Sequence, residues 1–367
     1  MIRLYKMELY KLFQNKIFRL GMLSAIVLLA LYFCLAEVGG EIAVVDGVSH
    51  SGYEAVRINR QITAEFEGEL TDEKVNQIIE RYGLPSKLEE NMPGWRDGNF
   101  LNDFVTRFFT NGSWEGGTLP TEQYAFADTE LAKASEKTGQ SPYLAYTKGW
   151  TVFVEMLQLG LVLGSILVIC GVSTIFADES QTQMLPLLLS TKEGRRKDVY
   201  AKLLAAFSFT IVIFVCLTLL SLIMCDIVYG LKGFNNIAGM LTANGIMMAN
   251  GTIQAVTFSK YLAIQTGLGF VALLSLCAIT LCVSAHLNST FGAVIIAASF
   301  WGLPVLIRMF FGGFMAVIVD SMPVFLIMTT IINDICVIWG LVLLINIFLA
   351  GMCLINGIFT YKNKQLT

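Results

Sequence analysis

Long apolar runs alternate with polar segments along the chain, and their lengths predict membrane-spanning helices. A helix needs about 20 apolar residues to cross the hydrocarbon core of a bilayer. Runs of this kind are Phe18–Ala36, Val152–Phe176, Leu203–Cys225, Tyr261–Ala285, Phe291 to about Arg308, and Ile335–Phe359. The pattern therefore predicts an all-α membrane protein with six transmembrane helices.

A further apolar stretch, at about 309–332, precedes the last of these runs. It is interrupted by Asp320 and Pro323, and each half is about 10 residues long, which is too short to cross a bilayer. Irregular backbone at membrane depth is tolerated only where protein or a water-filled cavity surrounds it. We therefore predict a re-entrant or interfacial helix pair here, not a seventh span.

Basic residues near the span ends predict the orientation, because cytoplasmic loops carry an excess of lysine and arginine. They concentrate before the first run, between the second and third runs, and in the tail. With six spans all three groups lie on one side, whereas a seventh span would move the tail across. We expect a multi-pass protein of the cell membrane with both termini in the cytoplasm.

The amino terminus predicts two elements. Residues 1–17 place apolar side chains on one face of a helix and lysines on the others, which is typical of an amphipathic interfacial helix. Residues 18–37 form the first span. Its apolar run is longer than the usual 7–15 residues of a signal peptide and lacks a small-residue cleavage site, so we interpret it as a retained anchor.

Residues 38–150 are polar and acidic, and the orientation places them outside the cell. Within them TDEKVNQIIERYGLP has helical periodicity and stops at Gly83, and the stretch Leu101–Phe109 repeats that periodicity. Ser141 and Pro142 are suited to begin a helix that continues into the second span. About 110 residues can bury a small core, so we predict a mostly helical extracellular domain, followed by spans 2–6 in residues 151–367.

Composition excludes several classes of function. The chain is 55% hydrophobic and 14% charged with a net charge of −3, which gives no reason to expect nucleic acid as a partner. It has no CxxC pair, two histidines, no HExxH or GxSxG motif and no GxxxxGK[ST] phosphate loop. We therefore expect no catalytic, metal or cofactor site, and a non-enzymatic protein.

The loop between the second and third spans is charged yet amphipathic. The acids Asp178 and Glu179 come first, an apolar stripe that includes Leu187, Leu188 and Leu189 follows, and the basic residues come last. This order complements a helix dipole and predicts a helix at about 178–192. Such a helix could lie on the membrane surface or fit a groove on a partner protein.

The same loop resembles the cytoplasmic loop of ABC-2-type permeases, the membrane subunits of ATP-driven bacterial exporters. The matching positions are Phe176, Glu179, Thr182, Leu188-Leu189-Ser190, Arg195 and Lys202. The chain departs from the pattern at Gln181, where the family usually has glycine, and at Gly194, where it often has serine. The amphipathic start and the six-span plan also resemble this family.

The resemblance implies a function. The loop would be the coupling helix, which docks on a separate ATPase subunit through Glu179, Thr182, Leu187, Leu188, Leu189 and Arg195. That ATPase would bind ATP and magnesium, and a second permease chain, identical or homologous, would complete the pathway. The substrate implied is amphiphilic, such as an antimicrobial peptide or a drug.

Several alternatives stay open at this stage. Glu179 could cap its helix or form a hinge contact at the base of the second span. Glu155, Gln158, Arg308 and Asp334 are candidates for a pathway or an outer gate, since ionisable groups in a membrane are costly to bury. For Arg308 we favour snorkelling to lipid head groups over pairing with an acid. A membrane sensor that binds a ligand outside and transports nothing is the alternative function.

Overall fold

The computed structural model describes residues 1–88, 95–113, 117–184, 197–240, 248–249, 252–253, 255–311, 316–328 and 339–363. Six helices in these ranges are long and apolar enough to cross a membrane, namely Lys16–Val38, Lys148–Gln181, Val199–Tyr229, Phe258–His286, Thr290–Phe310 and Gly340–Lys362. The prediction of an all-α protein with six spans is confirmed at this level. The predicted start of the last span, at Ile335, lies outside the described residues.

In chain order the helices are α1 (Ile2–Gln14), α2 (Lys16–Tyr32), α3 (Tyr53–Glu65), α4 (Asp72–Tyr82), α5 (Phe100–Phe109), α6 (Glu130–Thr138), α7 (Lys148–Val172), α8 (Thr174–Gln181), α9 (Val199–Tyr229), α10 (Phe258–His286), α11 (Thr290–Phe311), α12 (Ala316–Asp320), α13 (Pro323–Ile327) and α14 (Trp339–Lys362). A π-helical turn, Phe33–Val38, extends α2. Three short antiparallel pairs join β1 (Ile42–Val45) to β2 (Val48–Ser51), β3 (Gly68–Glu69) to β4 (Tyr143–Leu144), and β5 (Met248–Ala249) to β6 (Thr252–Ile253).

The chain divides into two compact units. The first unit comprises Met1–Leu29, Leu157–Leu220 and Gln265–Thr367, and the second comprises Ala30–Met156 and Ser221–Ile264.

An aromatic cluster packs the first unit around Phe209 of α9, which is fully buried. Its ring meets Phe13 of α1 at 5.3 Å and Phe18 of α2 at 4.6 Å, both edge to face. Such pairs add about 0.5–1.5 kcal/mol each beyond the area they bury. The ring also lies against Gly171 of α7, where a Cβ would meet Phe209 at 2.6 Å. A glycine at this position is therefore what lets α7 approach α9.

Two short helices, α12 and α13, precede the last span. Asp320 ends the first and Pro323 begins the second, so the chain breaks where the sequence predicts. Polar contacts hold this segment, because Gln265 Nε2 donates to the Ile327 carbonyl at 2.8 Å and Asn346 Nδ2 to the Ser321 carbonyl at 2.8 Å. Whether the pair is re-entrant stays a prediction.

The second unit contains the two helices that the periodicity predicts between the first and second spans. Thr71 caps α4 by accepting from Lys74 N, and Gly83 follows its last turn with φ +68°, a conformation that favours glycine. In α5 the predicted apolar face is buried throughout, namely Leu101, Phe104, Val105, Phe108 and Phe109.

Other parts of the second unit differ from expectation. Ser141 and Pro142 do not begin a helix, and α7 begins later, at Lys148. The Pro142 carbonyl accepts from Leu70 N at 2.9 Å, and Leu144, two residues on, pairs with Gly68 in a strand ladder. Long-range pairing therefore overrides the local signal. The β1–β2 hairpin was not predicted, although its Asp46-Gly47 turn, with φ of +53° and +76°, is a strong hairpin signal.

Candidate functional site

The second span is interrupted at Ser173, between α7 and α8, and a serine from another helix forms hydrogen bonds with the backbone there. Ser284 Oγ of α10 donates to the Ser173 carbonyl at 2.7 Å and accepts from Phe176 N and Ala177 N, each at 3.1 Å. Helix ends leave backbone groups without intrahelical partners, and these are costly when buried. Ser284 satisfies them, so α8 is a separate short helix secured to α10.

A lysine joins α8 to two other segments of the first unit. Lys202 Nζ of α9 lies 2.8 Å from Glu179 of α8, 2.8 Å from Asp198 and 3.1 Å from Glu8 of α1. We call these four residues the Lys202 cluster. It connects the amino-terminal helix, the end of the second span and the start of the third.

The Lys202 cluster is buried, and burial determines how much the loss of one of its charges would destabilise the fold. Lys202 is 1% exposed and none of its three carboxylate partners exceeds 9%. An ammonium group has three N–H donors, which is one for each carboxylate. Buried charges are stable only when they are paired, and removing one partner of such a pair leaves a costly unpaired charge. The cluster therefore acts as a rigid ionic junction.

Two further contacts hold α8. The Tyr361 hydroxyl of α14 donates to Glu179 Oε2 at 2.8 Å, and the Tyr361 ring packs on Phe176 with centroids 4.5 Å apart. Gln181 Oε1 accepts from Thr290 N at 3.2 Å and from its hydroxyl at 2.9 Å. Helix α8 is thus bound directly to α9, α10, α11 and α14, and through Lys202 to α1.

A cavity of about 460 Å³ borders the Lys202 cluster. Its lining includes Glu8, Asp178, Glu179, Lys202 and Thr290. This volume falls in the usual range of ligand pockets, roughly 300–1,000 Å³, and the apolar side chains of Leu12, Ile17 and Ile175 line it beside the charged ones. The cluster therefore faces open volume on one side and packed helices on the other.

The structure extends the sequence analysis at the predicted coupling segment. Asp178–Gln181 form the end of α8, Thr182 Oγ1 donates to the Asp178 carbonyl at 2.7 Å, and Gln183 adopts a left-handed conformation with φ +57°. The helix predicted at about 178–192 is therefore described only as far as Gln181, where α8 ends. Leu187, Leu188, Leu189 and Arg195 lie outside the described residues.

The predicted pathway residues are placed unevenly. Glu155 and Gln158 are half-buried on α7, and Asp334 lies outside the described residues. Snorkelling of Arg308 stays a prediction. Its Nη1 atom lies 3.5 Å from Asp320 Oδ2, so the ion pair given as the alternative is formed. The physical reason is that the break after α12 leaves the Asp320 carboxylate within reach, in a residue only 4% exposed.

Sequence reasoning identified Glu179 and Lys202 but missed other residues of this site, among them Asp198, Ser284 and Tyr361. Asp198 could have been found, since it lies one turn before Lys202 at the (i, i+4) spacing that suits an ion pair. Ser284 and Tyr361 carry no local signal, because they reach α8 from positions more than 100 residues away.

Comparison with known proteins gives no relative. No protein-family model, no curated protein and no solved structure matches this chain.

Proposed function

We propose that this chain is the permease subunit of an ABC-2-type exporter, driven by a separate ATPase subunit. One observation carries the proposal: α8, which leads directly into the charged loop, is bound to α9, α10, α11 and α14 and through Lys202 to α1. A segment that receives force from a partner has to be connected rigidly to the helices that move. Helix α8 meets that requirement.

The transmission step follows from these contacts. The ATPase docks on the loop through Leu187, Leu188 and Leu189, and closure of the ATPase dimer on ATP displaces the loop. That displacement reaches α8 through Thr182 and Gln183, and α8 passes it on through Glu179. Charge pairs at buried sites interact more strongly than pairs in water, so the Lys202 cluster moves as one body.

The orientation follows from the basic residues. The Lys202 cluster and both termini lie on the cytoplasmic side of a bacterial cell membrane, residues 38–150 lie outside, and the segment at about 309–332 is re-entrant. A second permease chain, identical or homologous, completes the pathway for an amphiphilic substrate. ATP and magnesium are held by the ATPase, and this chain is not catalytic.

A purification tests the proposal. The tagged chain is isolated in mild detergent from its own host, and mass spectrometry identifies the proteins that stay bound. We expect an ATPase at about one copy per permease. Leu188→Glu should abolish its recovery, because a charge replaces an apolar anchor in the contact.

Leu119→Glu is the matched control. It makes the same change at an exposed leucine of the second unit, and it should leave the ATPase bound. Repeated recovery of the intact chain without any ATPase would overturn the proposal and favour the membrane-sensor alternative. Equal loss in both variants would show a general defect and count against docking through the loop.

A further inference from the structure

A second cavity, of about 310 Å³, lies within the second unit and is basic. Of the residues that the structure describes, three cations line it, Arg57 and Arg60 of α3 and Lys232 beyond the end of α9, together with one carboxylate, Glu67. Three cations against one anion leave an excess of positive charge. This excess is unexpected, because residues 38–150 are acidic by sequence.

The three cations are held in different ways. The Arg60 Nη1 atom donates to the Val228 carbonyl at 2.9 Å, which fixes the guanidinium beside Gly230. Lys232 Nζ lies 2.6 Å from Glu67 Oε2. The Arg57 side chain has no carboxylate partner among the residues that the structure describes. The cavity therefore offers one positioned guanidinium and one without a counter-charge.

Two phenols that line the same cavity have unused donors. Tyr146 is 4% exposed and Tyr229 is 1% exposed, and neither hydroxyl has a hydrogen-bond partner among the described residues. Their rings are stacked with centroids 6.5 Å apart. Burial raises the pKa of Tyr146 well above its ordinary value, so its hydroxyl stays protonated and can donate. Buried polar groups normally have partners. Both hydroxyls are fully buried in this structure, so a ligand in the cavity would take up these donors by turning the rings toward it.

The cavity lies beside the end of a membrane-spanning helix, and this position favours an amphiphilic ligand. Tyr229 is the last residue of a membrane-spanning helix, and Lys232 follows three residues later. The cavity therefore lies at the end of a membrane-spanning helix, which brings it within reach of amphiphilic ligands. Arginine pairs with the oxygens of phosphate through two parallel hydrogen bonds, and phenols add neutral donors.

We propose that this cavity binds the phosphate of an anionic amphiphile. Arg57 and Arg60 contact the phosphate oxygens, the Tyr146 and Tyr229 hydroxyls donate to them, and Lys232 exchanges Glu67 for the ligand. The site goes beyond export, because it requires only the chain itself. Its test therefore succeeds or fails independently of whether an ATPase binds.

Calorimetry on the full chain in non-ionic detergent tests the site with two probes, inorganic phosphate and dihexanoylphosphatidylglycerol. Arg57→Gln should weaken binding about tenfold, because it removes a charged hydrogen-bond donor. Tyr146→Phe, which removes only the hydroxyl, should weaken binding about fivefold. Arg96→Gln is the matched control: it removes the same charge from an exposed arginine outside the cavity and should change nothing.

The two probes identify the source of the phosphate. Tighter binding of the phospholipid, with loss in both cavity variants, assigns the site to a lipid head group. Equal binding of both probes with the same losses assigns it to a soluble phosphate group. Absence of binding to either probe, or an equal effect of all three variants, overturns the proposal.

Discussion

The Tyr361 hydroxyl donates a hydrogen bond of 2.8 Å to Glu179, although the two residues stand 182 positions apart. The contact ties the last membrane helix to α8, and Glu179 passes it on to Lys202 at 2.8 Å. The end of the second span is therefore linked to three distant parts of the chain.

Lys202→Met should destabilise the protein strongly. The substitution removes the buried ammonium group from three largely buried carboxylates, of which only Glu8 keeps a lysine partner among the described residues, Lys11. We expect this to lower the free energy of unfolding by about 3–5 kcal/mol. Thermal unfolding of the detergent-purified chain measures it as a lower midpoint. Lys11→Met is the control, since Lys11 pairs with the same Glu8 but is 59% exposed, and we expect a change of about 1 kcal/mol or less.

Neutralising one carboxylate should offset part of that loss. In the double variant Lys202→Met, Glu179→Gln, one of the buried charges is gone, so the midpoint should rise above that of Lys202→Met alone. Contacting residues are expected to show such non-additivity. A midpoint for Lys202→Met equal to that of the unmodified chain would show that the cluster does not stabilise the fold.

Tyr361→Phe should impair coupling more than packing. The ring that packs on Phe176 is kept, and only the donor to Glu179 is lost. We expect a stability loss of about 1–3 kcal/mol, typical of a hydrogen bond to a charged group, and a reduced stimulation of the partner ATPase by this chain. The measurement compares ATPase turnover with and without the permease at equal occupancy.

The control for coupling is Tyr124→Phe, an exposed tyrosine of the second unit. It should leave the stimulation unchanged. If Tyr361→Phe also leaves both stability and stimulation unchanged, the link from α14 to α8 is not used in coupling.

Gly171→Ala should disturb the contact of α7 with α9. A Cβ at this position would lie 2.6 Å from the Phe209 ring, and that ring is held by Phe13 and Phe18 and cannot move freely. Overpacking of this kind costs about 1–3 kcal/mol, measured as a lower unfolding midpoint.

Gly267→Ala provides the comparison on α10. A Cβ there meets nothing within 4 Å, so helix propensity alone predicts a gain of up to about 1 kcal/mol. A similar midpoint for the two variants would mean that Phe209 relaxes and that the close approach at Gly171 is not required.

The second unit should lose stability as the pH rises. Asp103 is a partly exposed residue, but its Oδ1 atom is buried without a hydrogen bond to any described residue. Burial raises the pKa of this carboxyl to about 8, although the charge of Lys148 opposes the shift. The pKa of this carboxyl is higher in the folded chain than in the unfolded chain. The stability that its protonated form contributes is therefore complete below about pH 4, declines above that, and is lost as the pH rises through about 8.

Asp103→Asn removes this titration, so the variant should be more stable than the unmodified chain at pH 8, by about 1 kcal/mol or more. Unfolding midpoints at pH 5 and pH 8 measure the difference. The pKa of Asp97 shifts in the opposite direction. Burial raises it, but hydrogen bonds from Ser86 and Lys87 to the carboxylate outweigh burial and lower it. Asp97→Asn should therefore weaken the protein above about pH 4 and show no gain at pH 8.

Local patterns predicted those parts of the fold that depend on local physics. The apolar face of α5 and the stop of α4 at Gly83 follow from side-chain periodicity and from the conformational freedom of glycine. Ser141 and Pro142 gave a wrong prediction. Their local signal for a helix start is weaker than the strand pairing of Leu144 with Gly68. The sequence left the acidic partner of Arg308 open, and only the structure places Asp320 Oδ2 3.5 Å from its guanidinium.

The sequence by itself determined the six spans, the break between Asp320 and Pro323, and the resemblance from which the coupling proposal starts. It could do so because spans depend on the length of apolar runs and breaks on proline and charge. Only the tertiary structure decided which groups meet. Ser284 and Tyr361 contact α8, and three carboxylates surround Lys202. In the second unit two phenols without a hydrogen-bond partner in the described part of the chain lie among three cations. These contacts join residues far apart in sequence, and helix packing, not local pattern, brings such residues together.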